Sequence, residues 1–438
     1  MPVEEINVDT LVGTTHHHGG LSYGNLASME HKHAVANPKA AALESLGKMK
    51  LLADLGCKQV VLPPQKRPDI AGLRALGYTG SDKDILERVY HDAPDILAAY
   101  CSSSAMWTAN AATISPSSDT ADGRVHITPA NLVSKHHRSL ETIHTARILR
   151  SIFNDERFFV HHHPLHSSLA LADEGAANHC RFASKHGSPG VELFVYGCNA
   201  FKTKCRPQQY PTRQTLQASQ AVARLHQLQP QHVVFAQQNP DAIDAGVFHN
   251  DVISVNNEAV FLFHELAFVD TPRIIAQLRS TLAATCQADL VAIEISQEQL
   301  SLQDAVASYL FNAQIVTTSE GSMTLIAPKE CQHLACLKDI LADKTNPIND
   351  LRYVELKHSM RNGGGPACLR LRIVLTAEEQ QSLNPHIFLN DILYNDLTAW
   401  IEKHYRDRLT LKDLTDPLLL TETYNALDEL TAILHIEQ

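Results

Sequence analysis

The sequence predicts an α/β fold in one large domain spanning residues 1–438, and three observations carry the prediction. Short apolar runs give way to loops rich in Asn, Gly, His and Pro, and helical patterns follow them. Some neighbouring runs read as hairpins, unlike the steady strand–helix alternation of a parallel barrel. From about residue 380 to 438 the pattern turns helical and reads as an extension.

Taken in order, Asn37 before Pro38 can cap and start a helix. Leu43, Leu46, Met49 and Leu52 then recur at helical spacing until Gly56 ends it. KQVVLPP, Lys58–Pro64, reads as a strand stopped by prolines. SLETIHTARILRSIF follows as a helix with Ser139 as its cap, and Thr212–Leu228 as another that stops before Pro230. Strands are expected at Val191–Gly197, His232–Asn239, Asp251–Asn257 and Ala259–Glu265, the last two joined tightly around Asn256 and Asn257. DLVAIEI, SMTLIAP, RYVEL and LRLRIVL continue the series, with helix-like SLQDAVASYLFNA between the first two. Leu393, Leu397, Trp400 and Ile401 share one face of DILYNDLTAWIEKHY, and TYNALDELTAILHI makes the last helix.

Composition narrows the function. Against 48 acidic residues stand 37 Lys plus Arg, a net charge of −11, which argues against a general nucleic-acid binder. No apolar run is long enough for a membrane span, and the acidic opening MPVEEINVDTLVG reads as no secretory signal. Nine scattered cysteines, an odd count, suit reduced thiols in a cytoplasm. The 25 histidines cluster, in THHHGG, KHHRS and VHHHPLH, but neighbours on a strand face opposite ways and no HExxH pair is present. No metal is expected, and satisfied histidines or substrate contacts are the simpler reading.

Three segments carry chemistry. In ALADEGAANHCR a carboxylate pair, Asp173 and Glu174, ends an apolar element, where it could bind a cation, orient an imidazole or merely cap a helix. GVFHNDVISV sets His249, Asn250 and Asp251 before an apolar strand, a placement suited to an acid/base histidine or to a polar turn. RNGGGPAC places three glycines before Cys368, which makes sense where the chain needs positive φ or lets a ligand approach its backbone. A phosphate loop is excluded, because no GxxxxGK[ST] is formed. The residues alone leave Cys368 open between a nucleophile with a distant Glu and His and a small buried hydrophobe.

These segments, with NVDTLVGTTHHHGGLSYGNLAS, MWTANAATISPSSDT, NLVSKHHRSLE, YPTRQT, FAQQNPDAIDAGVFHND and GSMTLIAP, resemble the N-succinylarginine dihydrolases over nearly the whole chain. These belong to the guanidino-group modifying, amidinotransferase-related superfamily. The resemblance implies a five-bladed pseudo-symmetric α/β propeller, with the helical C-terminal extension at 380–438. It implies hydrolysis of N2-succinyl-L-arginine to N2-succinyl-L-ornithine, two ammonia and carbon dioxide in arginine catabolism. The alternatives are a deiminase-like single hydrolysis, or guanidino-compound binding without turnover. Carried over by position, Cys368 is the implied nucleophile, His249 the general acid/base and Glu174 its carboxylate partner. The implied substrate pocket takes Gly19, Gly20, Leu21, Ser22, Tyr23, Gly24, Asn25, Leu26, Ala27 and Ser28. Asn110, His137, Arg138, Arg213, Asp251 and Asn362 complete it. No cofactor is implied; the partners are the substrate, water and a second copy of the chain in a cytoplasmic homodimer.

Overall fold

The computed structural model describes residues 3–202 and 204–436. β1 (Val3–Thr10) and β2 (Lys58–Leu62) run parallel. β3 (Ala112–Ser115), β4 (Val125–Pro129) and β5 (Phe159–His161) form the next sheet, and β6 (His179–Phe182), β7 (Val191–Tyr196) and β8 (Val233–Gln237) the one after. Then come β9 (Ser254–Asn257), β10 (Val260–His264) and β11 (Val291–Ile295), followed by β12 (Gln314–Thr317), β13 (Met323–Pro328) and β14 (Ile348–Val354). β15 (Arg370–Thr376) returns to pair antiparallel with β1 and completes the fifth three-stranded sheet, in the order β15-β1-β2.

Every sheet repeats one plan. Its first two strands are antiparallel, and its third is parallel to the second. A parallel return needs a crossover, and helices such as Thr142–Ile152 and Thr271–Cys286 provide it. The first strands of the sheets stand next to one another around a central axis, β15 beside β3, β6 beside β9 and β9 beside β12. This is a five-bladed α/β propeller.

Strand alternation sets what each blade shows the axis. Leu371, Ile373 and Leu375 of β15 pack with Ile6 and Val8 in an apolar layer, whereas Arg370, Arg372 and Val374 point to the axial space. β1 runs from a rear end, where Val3 pairs with Thr376, to a front end, where Asp9 pairs with Arg370. Cys368 lies at that front end, and the stretch Gly19–Ser28 follows β1 on the same side.

The helix Pro38–Asp54 begins where Asn37 accepts from the Ala40 N–H. Leu393, Leu397, Trp400 and Ile401 of the helix Asp391–His404 pack in one cluster with its Leu46, Met49 and Leu52. Fully buried side chains of this size stabilise by about 1.5–3 kcal/mol each, so the extension is held to the blades by its apolar face.

Several expectations shift. The helix expected from Thr212 to Leu228 spans Leu216–Leu225, because the Thr215 hydroxyl caps it by accepting from the Ala218 N–H. Ser139 caps nothing: it ends the short turn His136–Ser139, and the helix Thr142–Ile152 starts without a side-chain cap. The strand expected from Asp251 begins at Ser254, since Asn250–Val252 forms a 3-10 turn that lifts His249 and Asp251 off the sheet. β1, β12 and the short strands β3 to β6 are not among the expected strands, since they are short or carry polar residues that break the apolar signal.

Candidate active site

Cys368 reaches the front of the axis because the glycines before it admit side chains from other blades. Gly363 has φ +105°, and a Cβ there would lie 2.0 Å from Asn25 Nδ2. Gly364 and Gly365 leave room for Trp107 and Asn312, which a Cβ would meet at 2.3 and 2.8 Å. The Asn25 amide donates to the Gly363 carbonyl at 2.8 Å, tying the front loop to the segment that carries the thiol.

The buried thiol sits in a polar bracket. Cys368 Sγ donates to Asp251 Oδ2 at 3.2 Å and accepts from Asn312 Nδ2 at 3.1 Å. The Cys368 N–H donates to Asn312 Oδ1 at 3.2 Å, and Asn312 Nδ2 also donates to the Asp251 carbonyl at 2.9 Å. One amide thus fixes the thiol and the carboxylate relative to each other. Burial first, then the charge of Asp251, pushes the thiol well above its ordinary pKa. Burial likewise pushes the Asp251 carboxyl up to about 6.

The second cluster centres on Glu174, fully buried, which accepts from His249 Nε2 at 2.8 Å and from Arg138 Nη1 at 2.7 Å through Oε2. Ser134 donates to its Oε1, Asn110 Nδ2 donates to its carbonyl at 2.7 Å, and its N–H donates to Gln214 Oε1 at 2.7 Å. Burial alone would raise this carboxyl, but Arg138 and His249 outweigh it and hold it well below the usual range. Burial pushes the His249 imidazole down to about 4, against the pull of Glu174, so the ring is neutral near pH 7.

The front of the site is cationic. Burial lowers Arg213 to about 10, which leaves it charged; its Nη2 donates to Ser22 Oγ at 3.2 Å and its guanidinium lies 4.6 Å from the Phe248 ring centre. Lys135 Nζ donates to the Tyr23 carbonyl at 2.7 Å. His137 is buried beside Arg138, and burial followed by that charge holds its imidazole neutral. Asn362 donates to the His17 carbonyl at 3.2 Å. Within the loop, Gly20 and Gly24 take positive φ, Asn25 Oδ1 accepts from the Ser28 N–H at 3.2 Å, and the Ala27 carbonyl accepts from the His31 N–H. Leu26 packs against Gly246, Gly19 against the His17 ring, Leu21 is partly buried and Tyr23 is exposed.

Asp251, His249 and Arg138 hold four buried polar atoms without a protein partner: Asp251 Oδ1, His249 Nδ1, Arg138 Nε and Arg138 Nη2. Buried polar groups are usually paired, and here a carboxylate oxygen, a ring nitrogen and two guanidinium nitrogens are left able to meet a ligand. Asn312, Ser134, Gln214 and Phe248 were not among the expected site residues. Asn312 lay inside a run read as helix, whereas Tyr309 turns left-handed at φ +55° and releases the chain toward the thiol. Phe248 adjoins His249, which was a usable signal.

The histidine runs are dispersed. His16, His17 and His18 are buried near Asn362, while His126 lies 3.0 Å from His162 and 3.0 Å from Asp122. Among the described residues no group of three or more His, Cys, Asp or Glu converges as a metal site would require. None of the described helices is long and apolar enough to cross a membrane.

The succinylarginine dihydrolase family model matches residues 2–438. An N-succinylarginine dihydrolase of Chromohalobacter salexigens is 52% identical over 99% of this chain and 97% of its own. One from Marinobacter nauticus is 54% identical over 98% and 96%. Among solved structures, the N-terminal domain of ArgZ, an arginine dihydrolase from the ornithine–ammonia cycle in cyanobacteria, superposes with a TM-score of 0.52. It covers 84% of this chain and 98% of that domain at 13% identity, a likeness of fold.

Proposed function

This chain belongs to the succinylarginine dihydrolase family, and on that premise we propose that Cys368 is the nucleophile, His249 the acid/base and Glu174 the group that orients it. The reaction is hydrolysis of N2-succinyl-L-arginine to N2-succinyl-L-ornithine, two ammonia and carbon dioxide, in arginine catabolism. Family membership sets aside a single hydrolysis and binding without turnover. The observation that carries the assignment of roles is the set of unpartnered buried atoms on Asp251, His249 and Arg138 around a buried thiol.

A guanidinium carbon is a weak electrophile and a neutral thiol a weak nucleophile. Here each corrects the other. Burial favours the protonated thiol; a guanidinium held by Asp251 places positive charge beside the sulfur and favours thiolate. Asp251 then has a partner for Oδ1, and the α-carboxylate and succinyl carboxylate find Arg138 and Arg213.

The sulfur attacks the guanidinium carbon, and the thiol proton passes through His249 to the departing nitrogen. One ammonia leaves and a thiouronium remains on Cys368. Water, deprotonated by His249, attacks that carbon; the C–S bond breaks and the ureido compound forms with the thiol restored. In the second round the same sulfur displaces ammonia from the ureido carbon, leaving a thiocarbamate. Its hydrolysis gives a carbamic acid, which loses carbon dioxide to yield the ornithine amine. A neutral, oriented imidazole at neutral pH suits both proton transfers.

The nine free thiols support a reducing, cytoplasmic setting, and the homodimer rests on the family resemblance. The test is stoichiometry: purified protein with N2-succinylarginine should release two ammonia per substrate and form succinylornithine. Accumulation of the ureido compound as the final product would overturn this reading.

A further inference from the structure

A cavity lies behind the same site and shares Asp251 with it. This cavity of about 90 Å³, of mixed polar and apolar lining, lies on the propeller axis, and its inner end is bounded by Ala109, Asn250, Asp251 and Ala367. Ala367 adjoins Cys368 in sequence, the Ala109 N–H donates to the Cys368 carbonyl at 3.1 Å, and Asp251 accepts from the thiol. Asp251 thus faces the thiol and borders this cavity as well. Glu5, His186 and Glu258 line both this cavity and a wider one of about 620 Å³. Lys58, Lys185 and Ser319 border that outer space, at the rear ends of the blades.

The path therefore ends on the face opposite the loop Gly19–Ser28. We infer that it is a rear port, by which water reaches Cys368 and ammonia leaves while the substrate occupies the front. The inference rests on the two-round reaction above. Each round consumes one water and releases one ammonia, and between rounds the ureido compound must stay held by its two carboxylates. A single front opening would oblige small reactants to pass the bound substrate.

The dimensions and charges suit that traffic. A space of this size holds a few waters, far less than a succinylated amino acid. Its throat carries two guanidiniums that are fixed in place. Arg370 donates to Asn7 Oδ1 at 3.0 Å, and Arg372 donates to the Asn256 carbonyl and Oδ1 at 2.7 Å each. Glu5 pairs with both, at 3.4 Å from Arg370 and 3.7 Å from Arg372, so the throat is polar and braced, and water and neutral ammonia can pass it.

Val374 lines the cavity on the same strand, outward of Arg372, and is assigned no part in the proposed chemistry. A graded plug, Val374→Leu and Val374→Phe, tests the port with kcat, KM and intact mass of acid-quenched enzyme as readouts. Slower water delivery predicts that kcat falls stepwise, by about fivefold in the Phe variant, with KM falling in proportion. The fraction of enzyme carrying a covalent adduct should rise. Turnover and adduct fraction equal to the parent's would overturn the port, as would a fall in kcat without adduct. The smaller variant decides if the larger does not fold. Failure of the parent to release two ammonia in the same assay would instead strike the proposed reaction.

Discussion

Replacing Asp251 by asparagine should stabilise the protein while it nearly abolishes turnover. The Asp251 carboxyl is raised from 3.8 to about 6, chiefly by burial, and its Oδ1 has no protein partner. Between those two values the unfolded chain has released a proton that the folded chain still holds, so folding stability falls as pH rises through this window and then levels. Roughly two pKa steps at 1.36 kcal/mol each amount to about 3 kcal/mol of destabilisation carried at neutral pH. Asparagine is isosteric, keeps an acceptor for the thiol and carries none of this penalty. Urea unfolding at pH 8 should show the variant more stable by about 2–3 kcal/mol, and the difference should shrink toward zero near pH 4. Meanwhile kcat/KM should fall by about a hundredfold or more, since the guanidinium loses its anionic partner. A variant no more stable at pH 8, or a gain unchanged at pH 4, would refute the reasoning.

Other predictions follow from the same geometry. Cys368→Ala should reduce turnover by about four orders of magnitude while calorimetry still detects N2-succinylarginine binding; near-parent turnover would exclude the thiol as nucleophile. Gly363→Ala requires a left-handed residue with a Cβ 2.0 Å from Asn25 Nδ2, so KM should rise by about tenfold as the front loop is displaced. In pH–rate profiles of the free enzyme, kcat/KM should fall as pH drops through about 6, where Asp251 takes up its proton. His249, at about 4, stays neutral across that limb, so a second acidic break is expected only near pH 4.

The outer parts of the fold were readable because one side of each element is apolar. Asn37-Pro38 marks a helix start, and Leu393, Leu397, Trp400 and Ile401 do share a buried face. The axis was harder to read. Glu5, Asn7 and Asp9 alternate with Ile6 and Val8 in β1, yet a strand whose other face is charged resembles a solvated segment. The same holds for β6, where Arg181 and His179 turn toward the cavity. At the site, the three glycines signalled a close approach, but not that Asn25, Trp107 and Asn312 are what approaches. Those partners come from three other places in the chain, and long-range proximity leaves no local periodicity to read.

The blade that carries Cys368 is stitched from distant parts of the chain: Val3 pairs with Thr376, while Lys58 lies alongside Ile6. The ring therefore cannot shut until β15 has been synthesised and finds a strand made near the beginning. Contacts of such long sequence separation slow folding, because loop closure must precede the pairing that rewards it. The thiol and the closing seam are delivered together, only residues apart. During synthesis the four blades before the seam can form without any hydrolytic capacity, and the proposed nucleophile is seated only when the ring is shut. Catalytic competence in this architecture is thus a readout of completed folding, and recovery of turnover after denaturation should follow docking of the last strand rather than formation of the earlier blades.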